Sequence, residues 1–393
     1  MAGEIAHPSW NPLRMTGTAL PVPVLLMAKI VALALLLTNH QRLLPDPFLP
    51  FLGALDALAF SRTFQWALKA VFVTAALALL FNRAVRLSAL VLGSSILLAV
   101  VASKAYYGNN KTMCGILLFL AGLWEPKLGT SFLRWQFSLV YFGAGLNKLL
   151  DPDWQTGQFF HHWAGARLQQ PVYLALAPLL PPLMLAKLFC YSTIAIELPL
   201  AAMFFVRRAW PWAIWLSLLF HASLLEFTGN TFTMFFYAME AAVLAFVAWP
   251  REMTVIFDGD CGICNDIRRW WSRLDFDGAY RWATFQSGAG DRWGIARGAL
   301  EERLHFVVDG RVYAGFRACK MMLLYNPVLY LVVTALIALP PGEWRLWRRV
   351  WVALLLAFFF PAFGFVGEAV YGWVARNRHR VSNSGACAIE PKP

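Results

Sequence analysis

Residues 251–272 read REMTVIFDGDCGICNDIRRWWS. Met253–Phe257 is a short run rich in β-branched and aromatic residues, the composition of a strand. Asp258, Gly259 and Asp260 supply turn chemistry, and from Cys261 the pattern reads as helix. The stretch therefore predicts a strand, a corner and a helix, with Cys261-Gly262-Ile263-Cys264 on the corner. Residues i and i+3 of a helix start lie one above the other, close enough for their sulfurs to bond. The unsatisfied N–H groups and the positive end of the helix dipole gather at the same place, and both favour a thiolate over a thiol. Arg268 and Arg269 add positive charge one to two turns on. Cys261 is expected to be the exposed nucleophile, and Cys264 the thiol that resolves the mixed disulfide. Asp258 and Asp260 are placed to take or give a proton during exchange, while their negative charge opposes thiolate formation.

Working downstream, YRWATF at 280–285 is a second strand candidate. LHFVV and RVYAG flank Asp309-Gly310, a strong two-residue hairpin signal, and Phe316–Leu324 reads as helix. Residues 251–327 are thus expected to form a small α/β domain. Three other readings of the cysteine pair stay open here. It is half a zinc site, which His305, Cys319 or Cys387 would have to complete. Alternatively, F-D-G-D opens like the D-x-D of dehalogenase-type phosphatases, although Gly262 stands where those carry Thr or Val. Or the pair is inert packing. Cys114 and Cys190 lie inside apolar runs and read as packed small hydrophobes.

Upstream, the chain changes character. Of the 393 residues 59% are hydrophobic and 14% charged, against about 25% charged in soluble domains. A bilayer core of about 30 Å calls for roughly 20 helical residues. Candidate spans are Pro21–Thr38, Thr63–Leu80, Val85–Ala105, Met113–Trp124, Ser131–Leu149, Leu183–Val206, Ala209–Glu226 and Phe232–Trp249. Residues 1–250 are therefore expected to form a membrane domain of about eight helices. The first 20 residues lack a signal peptide's apolar core, so the first run is expected to be retained. With the N-terminus inside, the inner connections hold Arg83, Arg86, Lys127, Arg207, Arg208 and Arg251, and the outer ones Arg42, Arg62, Lys111 and Arg167. This modest bias places the N-terminus and the CxxC domain in the cytoplasm. The net charge of +12 then marks cytoplasmic ends and headgroup contacts; no nucleic-acid module accompanies it, and no nucleic-acid partner is expected.

The tail holds two apolar runs, Val328–Leu339 and Val350–Val366, separated by Arg345, Arg348 and Arg349. Two full spans would put those arginines outside, so residues 328–380 are expected to form interfacial or re-entrant helices belonging to the CxxC unit. Residues 381–393 are expected to be a flexible tail.

The CxxC segment closely resembles the DCC family of thiol-disulfide oxidoreductases, named for an Asp-x-x-Cys-x-x-Cys signature. The matching residues are Asp258, Cys261 and Cys264 within VIFDGDCGICN, with further agreement at Gly315–Ala318 and Ala369–Arg378. The resemblance implies a thioredoxin-like fold. Thioredoxins carry a cis-Pro before a late strand, packed on the CxxC; here Arg303 precedes LHFVV, so docking in the thioredoxin manner does not carry over. Ser131–Gly157 resembles the HTTM domain, the membrane part shared with vitamin K-dependent gamma-glutamyl carboxylase. Its A-G-x-x-K-L, D-W and Gly elements are matched by Ala144, Gly145, Lys148, Leu149, Asp153, Trp154 and Gly157, and the Phe220-His221 pair also fits. The resemblance implies that Lys148 occupies the place of the base that deprotonates reduced vitamin K. The family's Asn-Asn-His appears as Asn109-Asn110-Lys111, and the large lumenal region has no counterpart, so glutamate carboxylation is not expected.

The leading expectation is a polytopic α-helical membrane protein with a small thioredoxin-like α/β domain. It would act as a membrane-bound thiol-disulfide oxidoreductase with a dithiol or disulfide partner. It would exchange electrons with a quinone or another lipophilic substrate in the helical part, where His221 is a candidate cofactor ligand. The main alternative is an HTTM-type lyase with Lys148 as base and the CxxC domain as supplier of reductant. A non-enzymatic transporter or assembly factor, its path lined by Glu197, Glu240 and His221, is the third. The competing reading of Glu197 and Glu240 is that they pair with lysines to hold the bundle together.

Overall fold

The apolar runs of the first 250 residues form helices close to where hydropathy places them. The computed structural model describes residues 10–38, 53, 56–59, 61–102, 108–228, 233–338 and 364–381. The long helices of the first part are α1 (Val22–Thr38), α2 (Arg62–Leu80), α3 (Val85–Ala102), α4 (Asn109–Gly122), α5 (Ser131–Leu150), α6 (Met184–Met203), α7 (Trp210–Phe227) and α8 (Thr233–Val243). Helices α2 and α6 are each long and apolar enough to cross a bilayer; α1, α3 and α8 with its 3-10 extension are apolar but shorter. Residues 103–105 and 232, at the ends of two expected spans, lie outside the described residues. Helix α4 begins four residues before the expected Met113, because Thr112 returns both its N–H and its hydroxyl to the Gly108 carbonyl.

Close packing in this part depends on glycine. A Cβ on Gly93 of α3 would collide with the Phe119 backbone of α4, and one on Gly122 would lie 2.7 Å from the Leu90 nitrogen. Of the glycines in the Gly143–Gly145 stretch, Gly145 provides the approach, since its Cβ would sit 2.9 Å from Leu198 of α6, whereas Gly143 faces open space. Short helices at Pro152–Thr156, Gln158–His161 and Pro171–Leu176 follow α5.

The chain divides into two compact units, one holding Gly17–Val247 and the other Ala248–Pro393 with Asn11–Thr16. In the second, β1 (Met253–Phe257) leads into α9 (Gly262–Ser272) and β2 (Tyr280–Thr284). Helix α10 (Arg297–Glu302) precedes the hairpin β3 (His305–Val308) and β4 (Arg311–Ala314), and α11 (Gly315–Leu324) follows. The sheet order is β2-β1-β3-β4, with β1 and β2 parallel and the other pairs antiparallel. This β-α-β then β-β-α succession is the thioredoxin-like arrangement, on a mixed sheet of four strands. Asp309 and Gly310 both take positive φ, 42° and 81°, as a two-residue hairpin turn requires.

Strand alternation assigns each face its cover. Val255, Phe257, Phe306 and Val308 meet Ala318 and Met322 of α11, with Cys264 and Trp271 of α9 packed on the same cluster. On the other face Ile256 and Val307 meet Leu300 of α10. After α11 the chain bends by 69° into α12 (Pro327–Ala338), and α13 (Gly364–Val381) packs against α9 and α11. Residues 339–363, which hold Arg345, Arg348, Arg349 and most of the run Val350–Val366, lie outside the described residues, as do 382–393. Upstream, Asn11–Thr16 joins this unit through Asp277, whose carboxylate accepts from the Met15 and Thr16 amides at 3.0 Å and from the Thr16 hydroxyl at 2.8 Å.

Candidate active site

The corner forms as its sequence predicts. Cys261 is the residue immediately before α9, in extended conformation (φ −87°, ψ 117°). Its N–H donates to the Asp258 carbonyl at 3.2 Å, and its own carbonyl accepts from the Asn265 amide at 3.1 Å. The Asn265 side-chain nitrogen also bonds the carbonyls of Gly259 (2.7 Å) and Cys261 (3.1 Å). Gln286, just past β2, holds the turn from the other side. Its Oε1 accepts from the Gly259 N–H at 3.1 Å, and its Nε2 donates to Asp258 Oδ1 at 2.8 Å and Asp260 Oδ2 at 3.2 Å. Gly259 is needed at this point because a Cβ there would press on Thr284 at 2.8 Å. Asp258, Asp260 and Cys261 are thus brought together by one clamp.

Exposure of the thiols differs from the expectation. Cys261 is 1% exposed, and Cys264 is the half-buried one. The reason is packing: the end of β1 and the start of α9 lie beneath α11 and α13. Neither sulfur is in a disulfide. Both line a cavity of about 160 Å³, together with Asp258, Arg303, Cys319 and Tyr371. Cys261 is therefore reached from the cavity, not from the outer surface. Burial pushes the Cys319 thiol up to about 11, so near neutral pH this third sulfur stays protonated.

Arg303 stands in the cavity wall before β3, the place where thioredoxins carry proline. Its Nη1 lies 3.3 Å from Glu368 of α13, and the Tyr371 hydroxyl accepts from the Leu304 N–H at 2.8 Å. His305 is buried, and its Nδ1 lies 2.9 Å from the Arg303 carbonyl. A carbonyl only accepts, so Nδ1 carries the proton. Burial, with the Arg303 charge adding to it, lowers the His305 pKa against the raising effect of that hydrogen bond. Among the described residues no three His, Cys, Asp or Glu side chains lie close enough to hold a metal ion; Cys387 lies outside them.

Gln286 and Asn265 are site residues that the sequence does not single out; Cys319 enters there only as a candidate zinc ligand, and Tyr371 only within the Ala369–Arg378 agreement. Asn265 follows Cys264 directly, and its place in the first helical turn was a usable signal. Gln286 arrives from a distant segment and carries no local sign.

In the helical unit, Lys148 and Glu197 form an ion pair, with Nζ 2.8 and 2.7 Å from the two carboxylate oxygens. Lys148 also lies 5.2 Å from the centre of the Trp154 ring. Gly157, after the short helix that Asp151 caps, has φ 82°, and a Cβ there would lie 2.8 Å from the Lys187 nitrogen. The D-W and Gly elements thus shape a tight corner beside the pair. His221 is not hydrogen-bonded to Lys148. Its Nε2 lies 2.8 Å from the Tyr141 hydroxyl, which also bonds Ser217 at 2.8 Å. Glu240 does not pair with a lysine as Glu197 does: its two carboxylate oxygens are buried without a hydrogen-bond partner among the described residues, as is His221 Nδ1. Cys261 and Lys148 fall in different units.

Comparison with family models finds a match to the HTTM domain over residues 123–249 and a match to the DCC1-like thiol-disulfide oxidoreductases over residues 255–346. No curated protein and no solved structure matches the chain. The cysteine corner lies in the second matched region, and the Lys148–Glu197 and Tyr141–His221 groups in the first. The chain is a fusion of an HTTM domain with a DCC1-like thiol-disulfide oxidoreductase domain.

Proposed function

We propose that this membrane protein is a thiol-disulfide oxidoreductase working through Cys261 and Cys264. The supporting observation is a pair of unbonded thiols, one helical turn apart, that line one cavity with a buried carboxylate. In the reducing direction the Cys261 sulfur attacks a substrate disulfide, whose S–S bond breaks and releases one thiolate. The Cys264 sulfur then attacks Cys261, closing the internal disulfide and releasing the second thiolate. Two electrons pass to the substrate, and the two cysteine protons end on its thiols. Asp258, held by Gln286 at the cavity edge, is the carboxylate placed to hand on a proton. The reverse sequence oxidises a dithiol. By the arginine bias of its connections the domain works on the cytoplasmic side. Turnover of a model disulfide by Cys261→Ser tests the assignment: loss supports it, and unchanged turnover removes it.

The helical unit is proposed to bind a quinone-like or other lipophilic partner. The unsatisfied His221 Nδ1 and Glu240 carboxylate, buried in an apolar bundle, fit the two redox forms of such a ligand: a ring N–H donates to a quinone carbonyl, and a carboxylate accepts from a quinol hydroxyl. A quinone held there supplies a two-electron, two-proton acceptor; the protein's part is to orient it and exclude water. In the alternative, in which Lys148 acts as a base, its amine has first to leave Glu197, whose two carboxylate oxygens hold it at 2.8 and 2.7 Å.

A further inference from the structure

The cavity that holds the two thiols is walled on one side by α13, through Tyr371, Val374 and Ala375. The opposite face of the same helix carries Phe365, Val366, Val370 and Trp373, at 74, 45, 58 and 58% exposure. Positions 365, 366, 370 and 373 form one helical stripe. A helix apolar on both faces buries both of them, and here no described residue covers the second. Helix α9, packed beside α13, extends the patch with Ile267 and Trp270, at 40 and 67% exposure. Ile267 also lines the cavity. The same two helices carry the exposed arginines Arg268, whose guanidinium lies 5.7 Å from the Phe257 ring centre, Arg269, which pairs with Asp266, Arg273 and Arg376. Tryptophan and large apolar groups on helices that also carry exposed arginines match the chemistry of a bilayer interface with anionic headgroups. The chain's own apolar helices keep a bilayer within reach.

The cavity selects in the same sense. Apart from Asp258 and Arg303 at its edge, its remaining wall is Ile263, Trp271, Leu300, Leu304, Met322 and Leu323. Cys261 is 1% exposed, so a sulfur that reaches it has to leave water. A space of about 160 Å³ takes a small disulfide with short alkyl arms, whereas a charged one would give up its hydration there.

On the strength of the redox reading above, we propose that the stripe on α13 and α9 docks on the bilayer surface and that the cavity takes a small apolar disulfide, or its dithiol, dissolved in lipid. The step is the exchange already written. The reduced pair gives two electrons and two protons to R–S–S–R, which leaves as two R–SH, and the pair becomes the Cys261–Cys264 disulfide.

The test is a single turnover of the full-length chain in nanodiscs containing anionic lipid. The protein is reduced, freed of reductant, and mixed with dibutyl disulfide or with hydroxyethyl disulfide. Oxidation of the pair is read by alkylation and mass spectrometry. Each methylene moved out of water contributes about fourfold, so dibutyl disulfide is expected to react more than about tenfold faster. In Phe365→Glu/Trp373→Glu the dibutyl rate is expected to fall towards the hydroxyethyl rate, which stays unchanged. Val370→Lys gives the same comparison with one substitution should the double variant misfold. Equal rates for the two disulfides in the unsubstituted chain, or an unaltered ratio in folded variants, overturn the lipid-facing proposal while leaving the redox reading intact. Rates no higher than those of Cys261→Ser with either disulfide overturn the redox reading and this inference with it.

Discussion

At the scale of single residues, the site depends on how a buried carboxylate is kept satisfied. Asp258 is 6% exposed, and one of its oxygens accepts from Gln286 and from the Asp260 amide. Gln286→Ala removes a donor from that buried oxygen and frees the Gly259 turn, a loss of about 1–3 kcal/mol. The expected outcome is lower thermal stability of the CxxC unit and slower oxidation of the pair, with Gln286→Glu worse because it adds a third carboxylate. His305 makes a pH prediction of defined sign. Its folded-state pKa lies below the ordinary histidine value, so the unfolded chain takes up a proton that the folded chain resists. Stability is therefore full above the ordinary histidine range and falls as pH drops through it. Hydrogen exchange of β3 in the full chain, corrected for intrinsic rates, should show protection declining on acidification. In His305→Gln that decline should flatten, and an equally steep decline would contradict the assignment.

At the scale of elements, glycine decides which helices touch. Gly122→Val forces α3 and α4 apart against backbone atoms, an overpacking cost of about 1–3 kcal/mol or more. At Gly143→Ala the added Cβ meets nothing within 4 Å, and this variant is expected to stay within about 0.5 kcal/mol of the parent. Thermal midpoints in one detergent compare the two, and a Gly143 variant as damaged as the Gly122 one would refute this packing. These elements also show what the sequence discloses. The strand-corner-helix at 253–272 and the Asp309-Gly310 hairpin are legible because each is fixed by neighbours within a few residues. The helices of the first part are legible from their apolar runs, although among the described residues of that part only α2 and α6 are by themselves long and apolar enough to cross a bilayer. The reversed exposure of the two thiols is not legible: α11 and α13, which bury Cys261, lie more than fifty residues downstream. Nor is the clamp by Gln286, or the Asp277 contact with Met15 and Thr16, since each joins segments far apart in the chain.

At the scale of the whole molecule, an HTTM domain and a DCC1-like domain share one chain, and the proposed functions divide between two units. The arginine bias predicts the membrane side of the second. Ser272→Cys, at the exposed end of α9, should resist an impermeant thiol reagent in intact cells and react once the membrane is opened; labelling before that would reverse the orientation. The central claim is that Cys261 attacks and Cys264 resolves. Its most direct test is Cys264→Ser, reduced and exposed to a model disulfide, then mapped by peptide mass. The account predicts half of the substrate retained on Cys261 as a stable mixed disulfide, absent in Cys261→Ser. No adduct on Cys261, or an equal yield on Cys319, would contradict it.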